Sequence, residues 1–331
     1  MTARIIDAHD VAFFDLDGVI YLGPIAVPGA VEGIRDVTAS GARVMFVTNN
    51  AARSAAVVAE HLNSLGFVAG PDDLITSAQV AAGVLAETLT AGSLILVAGT
   101  QNLVDLLAEV GFRTTDSADD NPDAVVQGYS PNIPWALLDE AGIAVQRGAT
   151  WYATNDDATR PTDRGLVAGL GAQLAVVGMT VRPRKPIVFG KPHAPMLDFA
   201  VSHTGAERPI FVGDRIDTDI MGANRAGMKS LLVFTGAHGK HDLLAAGPGD
   251  RPNYIGADLR ALLEPARVAT QEGHSWRCGA ARAQLHDGRI QLDADLATQA
   301  GQLDALWALA NLSWATDADP ADSLAQLDQL H

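Results

Sequence analysis

The stretch Phe13-Phe14-Asp15-Leu16-Asp17-Gly18-Val19 decides how the chain is read. The apolar run over 11–14 has the branched and aromatic content of a buried strand, and it stops at a carboxylate. A second carboxylate follows two residues later, so Asp15 and Asp17 can point to the same side of an extended backbone. Gly18 lets the chain turn tightly and bring its backbone close to a ligand. A carboxylate at such a point can act as a nucleophile, and a neighbouring acid can protonate a leaving group. The same four residues also suit a surface turn, where Asp and Gly predominate. The missing third acidic ligand and later Glu argue against an EF-hand calcium loop.

Working outward, the same grammar repeats. A helix over 31–40 ends at Gly41, and a strand over 43–47 stops at Thr48. Ser54 caps a helix over 55–65 that Gly66 terminates. Strands over 94–97, 124–127 and 151–153 alternate with helices over 103–110, 134–144 and 166–177. From Ile187 the pattern resumes: strands over 187–189, 210–212 and 230–234, with helices over 195–203 and 218–226 between them. This alternation predicts an α/β chain with parallel sheet and helices on its faces. The strands that end at Asp15, Thr48, Lys191 and Asp214 place polar residues at the edge where open α/β sheets bind ligands.

Each of these strand ends has two readings. Thr48-Asn49-Asn50 offers a hydroxyl, two amides and main-chain N–H groups ahead of a helix, with Arg53 nearby; it suits phosphate oxygens or an ordinary helix cap. Lys191, pinned between Gly190 and Pro192, is a point charge for a phosphoryl group or a solvated lysine. Asp214 fits a hard cation such as Mg2+. Asp219 falls in the first turn of a helix, where the dipole favours a carboxylate, so its role is structural or it also holds Lys191. Taken together, the four segments supply a nucleophile, an acid, a phosphate cradle, a lysine and a metal site.

With these four motifs, D-x-D-G-V (Asp15–Val19), T-N-N (Thr48–Asn50), G-K-P (Gly190–Pro192) and G-D-x-x-x-T-D (Gly213–Asp219), the chain resembles the haloacid dehalogenase (HAD) superfamily over roughly residues 8–262. The segment from Ala153-Thr154-Asn155-Asp156-Asp157 to Pro161-Thr162 resembles the cap of its NagD-like, 4-nitrophenylphosphatase-like branch. Where that branch commonly carries Pro-Gly, this chain reads Val167-Ala168-Gly169-Leu170-Gly171. The resemblance implies a discontinuous Rossmann-like core over 1–84 and 188–263, an inserted α/β cap over 85–187, and a small α+β extension over 264–331. It implies that Asp15 attacks phosphorus to form an aspartyl-phosphate, and that Asp17 protonates the leaving alkoxide and then activates water. Thr48, Asn49 and Asn50 would bind phosphate with Lys191, and Mg2+ would sit among Asp15, the main-chain carbonyl of Asp17 and Asp214. Asp219 and Gly18 would support the site. The acid at Asp17 favours a phosphatase over dehalogenating members, and the short Asp15-to-Thr48 interval disfavours a phosphomutase with a helical cap there.

The tail after about Glu264 combines a hairpin turning at Asp287-Gly288, an apolar helix over 303–314 and a short terminal helix over 323–330. It resembles an extension of glycerol 3-phosphate phosphatases in the branch, which makes that ester the leading substrate. Phosphoglycolate, pyridoxal phosphate and nucleotides of the UMP type are the alternatives, together with a non-catalytic ligand-sensing protein whose tail is regulatory. Asn155, Asp157 and Arg160 either reach substrate or cap a turn. His193 is read as a loop histidine.

The 331 residues are enough for about two domains at the usual 100–200 residues each. A hydrophobic share of 48% supports a sizeable core. Lys and Arg number 23 against 39 Asp and Glu, a net charge of −16. That excess argues against nucleic acid and anionic lipid as partners. It also means that an anionic substrate must be met by locally gathered positive charge. Cys278 alone allows no intrachain disulfide, in keeping with a reducing cytoplasm. Residues 1–10 lack the apolar stretch of a leader, and the longest apolar segment, 166–179, is too short to span a bilayer. The sequence is compatible with a homodimer and equally with a monomer.

Overall fold

A computed structural model describes residues 3–162, 164–316 and 318–330; Met1 and Thr2, which open the segment read for a leader, lie outside them. The chain divides into two compact units, Met1–Met45 with Ala206–His331, and Phe46–Gly205.

In the first unit the strand Val11–Phe14 pairs in parallel with Pro209–Gly213, which pairs with Lys229–Val233, which pairs with Tyr254–Gly256. All four residues of Val11–Phe14 are buried, as expected of a parallel strand covered on both faces. The strand Arg43–Thr48 starts beside it, the Arg43 N–H donating to the Asp10 carbonyl at 2.9 Å. Helix Ala30–Ala39 buries Ala30, Gly33, Ile34 and Val37, one stripe at helical spacing. The helix read over 218–226 instead begins as a π-helical turn, Ile216–Ile220, and becomes α-helical only over Met221–Arg225. The wider turn accommodates the Asp219 carboxylate, which accepts from the Arg215 N–H.

The tail belongs to this unit. It forms an antiparallel meander, Ala269–Glu272, Ser275–Cys278, Ala281–His286 and Arg289–Asp293. The stretch read as one hairpin arm is thus two strands broken at Gly279, whose φ is +55°. Asp287 and Gly288 both have positive φ, the signature of a type I′ turn. Helix Gln299–Ala315, capped by Thr298, is buried almost all round. Its core is continuous with that of the parallel sheet: Leu303, Leu306 and Leu309 share one cluster with Ile216, Ile220, Leu232, Leu243 and Ile255. Trp307 and Trp314 pack edge to face at 5.7 Å. The terminal helix expected over 323–330 is confined to Ala321–Leu324. Beyond it the chain continues in turns, where the buried Gln302 amide donates to Asp328 and its oxygen accepts from the Gln329 N–H.

The second unit carries its own parallel sheet, in the order Ile187–Val188, Thr150–Ala153, Ala124–Gln127, Leu94–Ala98, Arg113–Thr115. The end of Arg43–Thr48 pairs in parallel with Leu74–Thr76. Ser54 caps helix Ala55–Ser64 by accepting from the Val57 N–H, as its spacing predicts. The helix read over 166–177 begins later, as Leu170–Val181; Gly165–Ala168 is a strand paired with Thr159–Thr162. Gly165 turns at φ +123°, and a Cβ on Gly169 would stand 2.2 Å from the Asp157 carbonyl oxygen. Close backbone approach at that point keeps the chain extended until Leu170. Among the described residues no helix is long and apolar enough to cross a membrane.

Candidate active site

The first unit gathers carboxylates. Asp15 follows the strand Val11–Phe14 directly, and its N–H continues the ladder to the Val212 carbonyl at 2.9 Å. Asp214 follows Pro209–Gly213 in the same way, so two adjacent parallel strands deliver two acids at one edge. Asp219 joins them from the π-helical turn. Asp15, Asp214 and Asp219 are 9, 2 and 1% exposed, and each offers an oxygen within 4.8 Å of the others.

Glycines make the cluster possible. A Cβ on Gly18, where φ is +90°, would stand 2.4 Å from Asp214 Oδ2; one on Gly213 would stand 2.2 Å from the Asp219 Cβ. Main-chain donors solvate the acids: Ala237 N–H to Asp214 Oδ2 at 2.6 Å, and Arg215 N–H to Asp219 Oδ2 at 3.1 Å. Three like charges this close and this buried repel strongly unless a cation lies among them. An all-oxygen donor set suits a hard cation such as Mg2+ or Ca2+.

Asp17 differs from its neighbours in being exposed. The Leu16 carbonyl accepts from Val19, Ile20 and Tyr21, and Gly18 N–H donates to the Tyr21 carbonyl, so the loop behind Asp17 is rigidly hydrogen-bonded.

The second unit holds the other strand-end residues. Thr48, 4% exposed, ends its strand, and its hydroxyl accepts from the Asn50 N–H at 3.1 Å. The Asn49 amide exchanges two bonds with the Lys191 main chain, Oδ1 accepting from its N–H at 2.8 Å and Nδ2 donating to its carbonyl at 3.0 Å. Nδ2 also reaches Asp157 Oδ1 at 3.1 Å. The side chain of Asn49 is therefore a brace that joins two sequence-distant segments. Asn155 donates to the Asn49 carbonyl at 2.7 Å, as does Ser77 at 2.6 Å. Lys191 is buried at 2% exposure, with Nζ 3.5 Å from the Val47 carbonyl. Arg53 is exposed, Arg160 lies over the Tyr129 ring at 4.9 Å, and His193 pairs with Asp156 at 2.9 Å on the surface.

A family model described as haloacid dehalogenase-like hydrolase matches residues 12–113, and a HAD-hydrolase-like model matches 188–262. A D-glycerol 3-phosphate phosphatase of Mycobacterium tuberculosis is 44% identical over 268 residues, 80% of this chain and 75% of its own length. The chain belongs to the haloacid dehalogenase-like hydrolases. Another relative in that family, phosphoglycolate phosphatase 2 of Arabidopsis thaliana, is 33% identical over 78% of this chain and 93% of its own. Among solved structures, a glycerol phosphate phosphatase of M. tuberculosis in complex with magnesium aligns with TM-score 0.86 and 36% identity, covering 98% of both chains. At that coverage the tail of this hydrolase has its counterpart as well. The 4-nitrophenylphosphatase of Thermotoga maritima aligns with TM-score 0.73 and 28% identity, covering 78% of this chain and 98% of that one.

Residues that the four motifs do not include also border the acid cluster of the hydrolase. Thr235, Gly236, Ala237 and His238 follow the strand Lys229–Val233 and close on Asp214 and Gly18. The signal that could find them is the one that marks the other motifs, small and polar residues just past an apolar strand.

Proposed function

We propose that the chain is a Mg2+-dependent phosphatase of small phosphomonoesters, with glycerol 3-phosphate as its substrate. The buried cluster of Asp15, Asp214 and Asp219 supports the reaction. The 44% identical relative and the tail it shares with a glycerol phosphate phosphatase support the substrate.

In this reading Asp15 attacks phosphorus and the ester P–O bond breaks. Asp17, exposed and two residues on, gives its proton to the departing glycerol oxygen. Asp17 then takes a proton from the water that attacks phosphorus, which releases inorganic phosphate and restores the Asp15 carboxylate. Thr48, the Asn49 and Asn50 main chain, and Lys191 hold phosphate oxygens; the Asn49 amide is already engaged by Lys191 and Asp157. Asp15, the Asp17 carbonyl and Asp214 would hold Mg2+, with Asp219 and Gly18 behind them, and the ion would there supply positive charge against the transferring phosphoryl group. Residues 85–187 are the substrate-selecting cap, 1–84 and 188–263 the core, and 264–331 the extension.

The test is phosphate release with Mg2+ across glycerol 3-phosphate, phosphoglycolate, pyridoxal phosphate and UMP, compared as kcat/KM. Glycerol 3-phosphate should lead by about tenfold or more, a difference of ~1.4 kcal/mol in transition-state binding. A lead by phosphoglycolate overturns the substrate and leaves the reaction standing. Turnover of none, or near-wild-type activity of Asp15→Asn on an aryl phosphate, overturns the reaction and leaves a ligand-sensing protein.

A further inference from the structure

The segment Thr235-Gly236-Ala237-His238 touches Gly18, Asp214 and the start of the turn that carries Asp219, each residue in its own way. Thr235 Oγ1 donates to the Gly18 carbonyl at 2.5 Å, which fixes the Gly18-Val19 peptide. Gly236 presses against Asp214 so closely that a Cβ there would stand 2.0 Å from Oδ2. Ala237 N–H donates to that same oxygen. His238 N–H donates to the Asp214 carbonyl at 3.2 Å, and its ring Nδ1 accepts from the Ile216 N–H at 2.9 Å. That bond places the ring proton on Nε2. Ile216 opens the turn that carries Asp219.

We infer that residues 235–238 form a positioning clamp, in which Thr235 and His238 hold the Gly18 carbonyl, Asp214 and the start of the Asp219 turn in the arrangement that receives the divalent cation. This rests on the cation reading of the cluster. The physical need is clear. Three buried carboxylates drive one another apart, and a site that must be assembled at each binding event binds more weakly than one already assembled. The contacts lie beyond the paired ends of the strands, so the sheet ladder does not require them. A loop serving only to close the sheet edge would affect stability alone.

Calorimetric titration of Mg2+ into the full chain without substrate separates the two cases. The wild type binds. Thr235→Val weakens Mg2+ by about tenfold, the worth of one hydrogen bond to a main-chain carbonyl. It raises the Mg2+ needed for half-maximal phosphatase activity by the same factor, while KM for glycerol 3-phosphate at saturating Mg2+ changes less than about twofold. Thr235→Ser, which keeps the donor, stays within about twofold of wild type. His238→Asn keeps an acceptor for Ile216 and likewise binds, whereas His238→Ala does not reach wild-type affinity; this second pair carries the test if Thr235→Val fails to fold. Equal Mg2+ affinity of wild type, Thr235→Val and His238→Ala overturns the clamp, as does a Ser variant no better than Val. A wild type that binds no Mg2+ overturns the cation reading and the clamp with it.

Discussion

A methyl group at Gly18 tests whether the carboxylate cluster works as a fixed assembly. The Cβ of Gly18→Ala would stand 2.4 Å from Asp214 Oδ2, against 3.4 Å for ordinary contact. Asp214 must therefore retreat by about 1 Å, and a misplacement of ~1 Å at a reacting centre costs roughly 100-fold in rate. The left-handed backbone at φ +90° adds about 1–2 kcal/mol of strain for any residue with a Cβ. Two further variants separate these effects. Gly23→Ala has φ +58° and no atom within 4 Å of its Cβ, so it carries strain alone. Gly236→Ala lies outside the left-handed region and would stand 2.0 Å from Asp214 Oδ2, so it carries displacement alone, about 1.4 Å of it.

The assays are kcat/KM at saturating Mg2+ and the midpoint of urea unfolding for all three variants. Gly23→Ala should lose about 1–2 kcal/mol of stability and keep its activity. Gly236→Ala should lose roughly 100-fold in activity. Gly18→Ala should show both losses. If Gly18→Ala and Gly23→Ala are equally active, the position of Asp214 does not govern turnover and the reasoning fails.

Three other outcomes follow from the same geometry. Inorganic phosphate should bind in the presence of Mg2+ and lose at least about tenfold in affinity in EDTA, measured by calorimetry, because the carboxylates otherwise repel it; equal affinity in both contradicts the cation's role. Burial and the neighbouring Asp304 push the Cys278 thiol from 9.0 up to about 12. The folded state keeps that proton while the unfolded state loses it, so stability should fall between pH 9 and 12, relative to Cys278→Ala, by up to about 1.4 kcal/mol per pH unit; parallel stability curves for the two proteins would refute this. Deleting residues 264–331 should leave an insoluble chain or one melting more than about 10 °C lower, since uncovering Ile216, Ile220, Leu232, Leu243 and Ile255 costs about 1.5–3 kcal/mol each; an unchanged calorimetric Tm would refute it.

Strand ends are legible because an apolar run that stops at a polar residue is a local pattern, and Asp15, Thr48 and Asp214 all follow one. Helix Ser77–Thr88 is missing from the elements expected of the sequence, although Thr76-Ser77-Ala78-Gln79 is a capping box and forms one here, with Gln79 bonding back to Thr76. Gly165–Ala168 resists a local reading because an apolar run with glycines fits a buried helix as well as a strand, and only pairing with Thr159–Thr162 decides. The segment 235–238 carries the strand-end signal, but the parts played by Gly236 and Ala237, a missing side chain and a main-chain N–H, are set by the fold. Asn49 is legible as a site residue, but its long-range bonds to Lys191 and Asp157 are set by the fold.

The acid excess and the tail bear on the same point. A net charge of −16 works against an anionic substrate, and three of the site's own carboxylates add to that field. Removing them would ease repulsion and remove the hard oxygen ligands that suit a divalent cation, which can supply opposing charge. A cation is useful only where its ligands stay in place before phosphate arrives. The glycines at 18, 213 and 236 allow the close approach, and main-chain donors from Arg215 and Ala237 hold two of the acids there. The tail supports the same edge from behind: Lys240, two residues past His238, donates through Nζ to the Leu327 carbonyl, and Leu243 on the same short helix lies in the core that the tail completes. The extension therefore packs against the short helix that directly follows the clamp, far along the chain from any motif that marks the site.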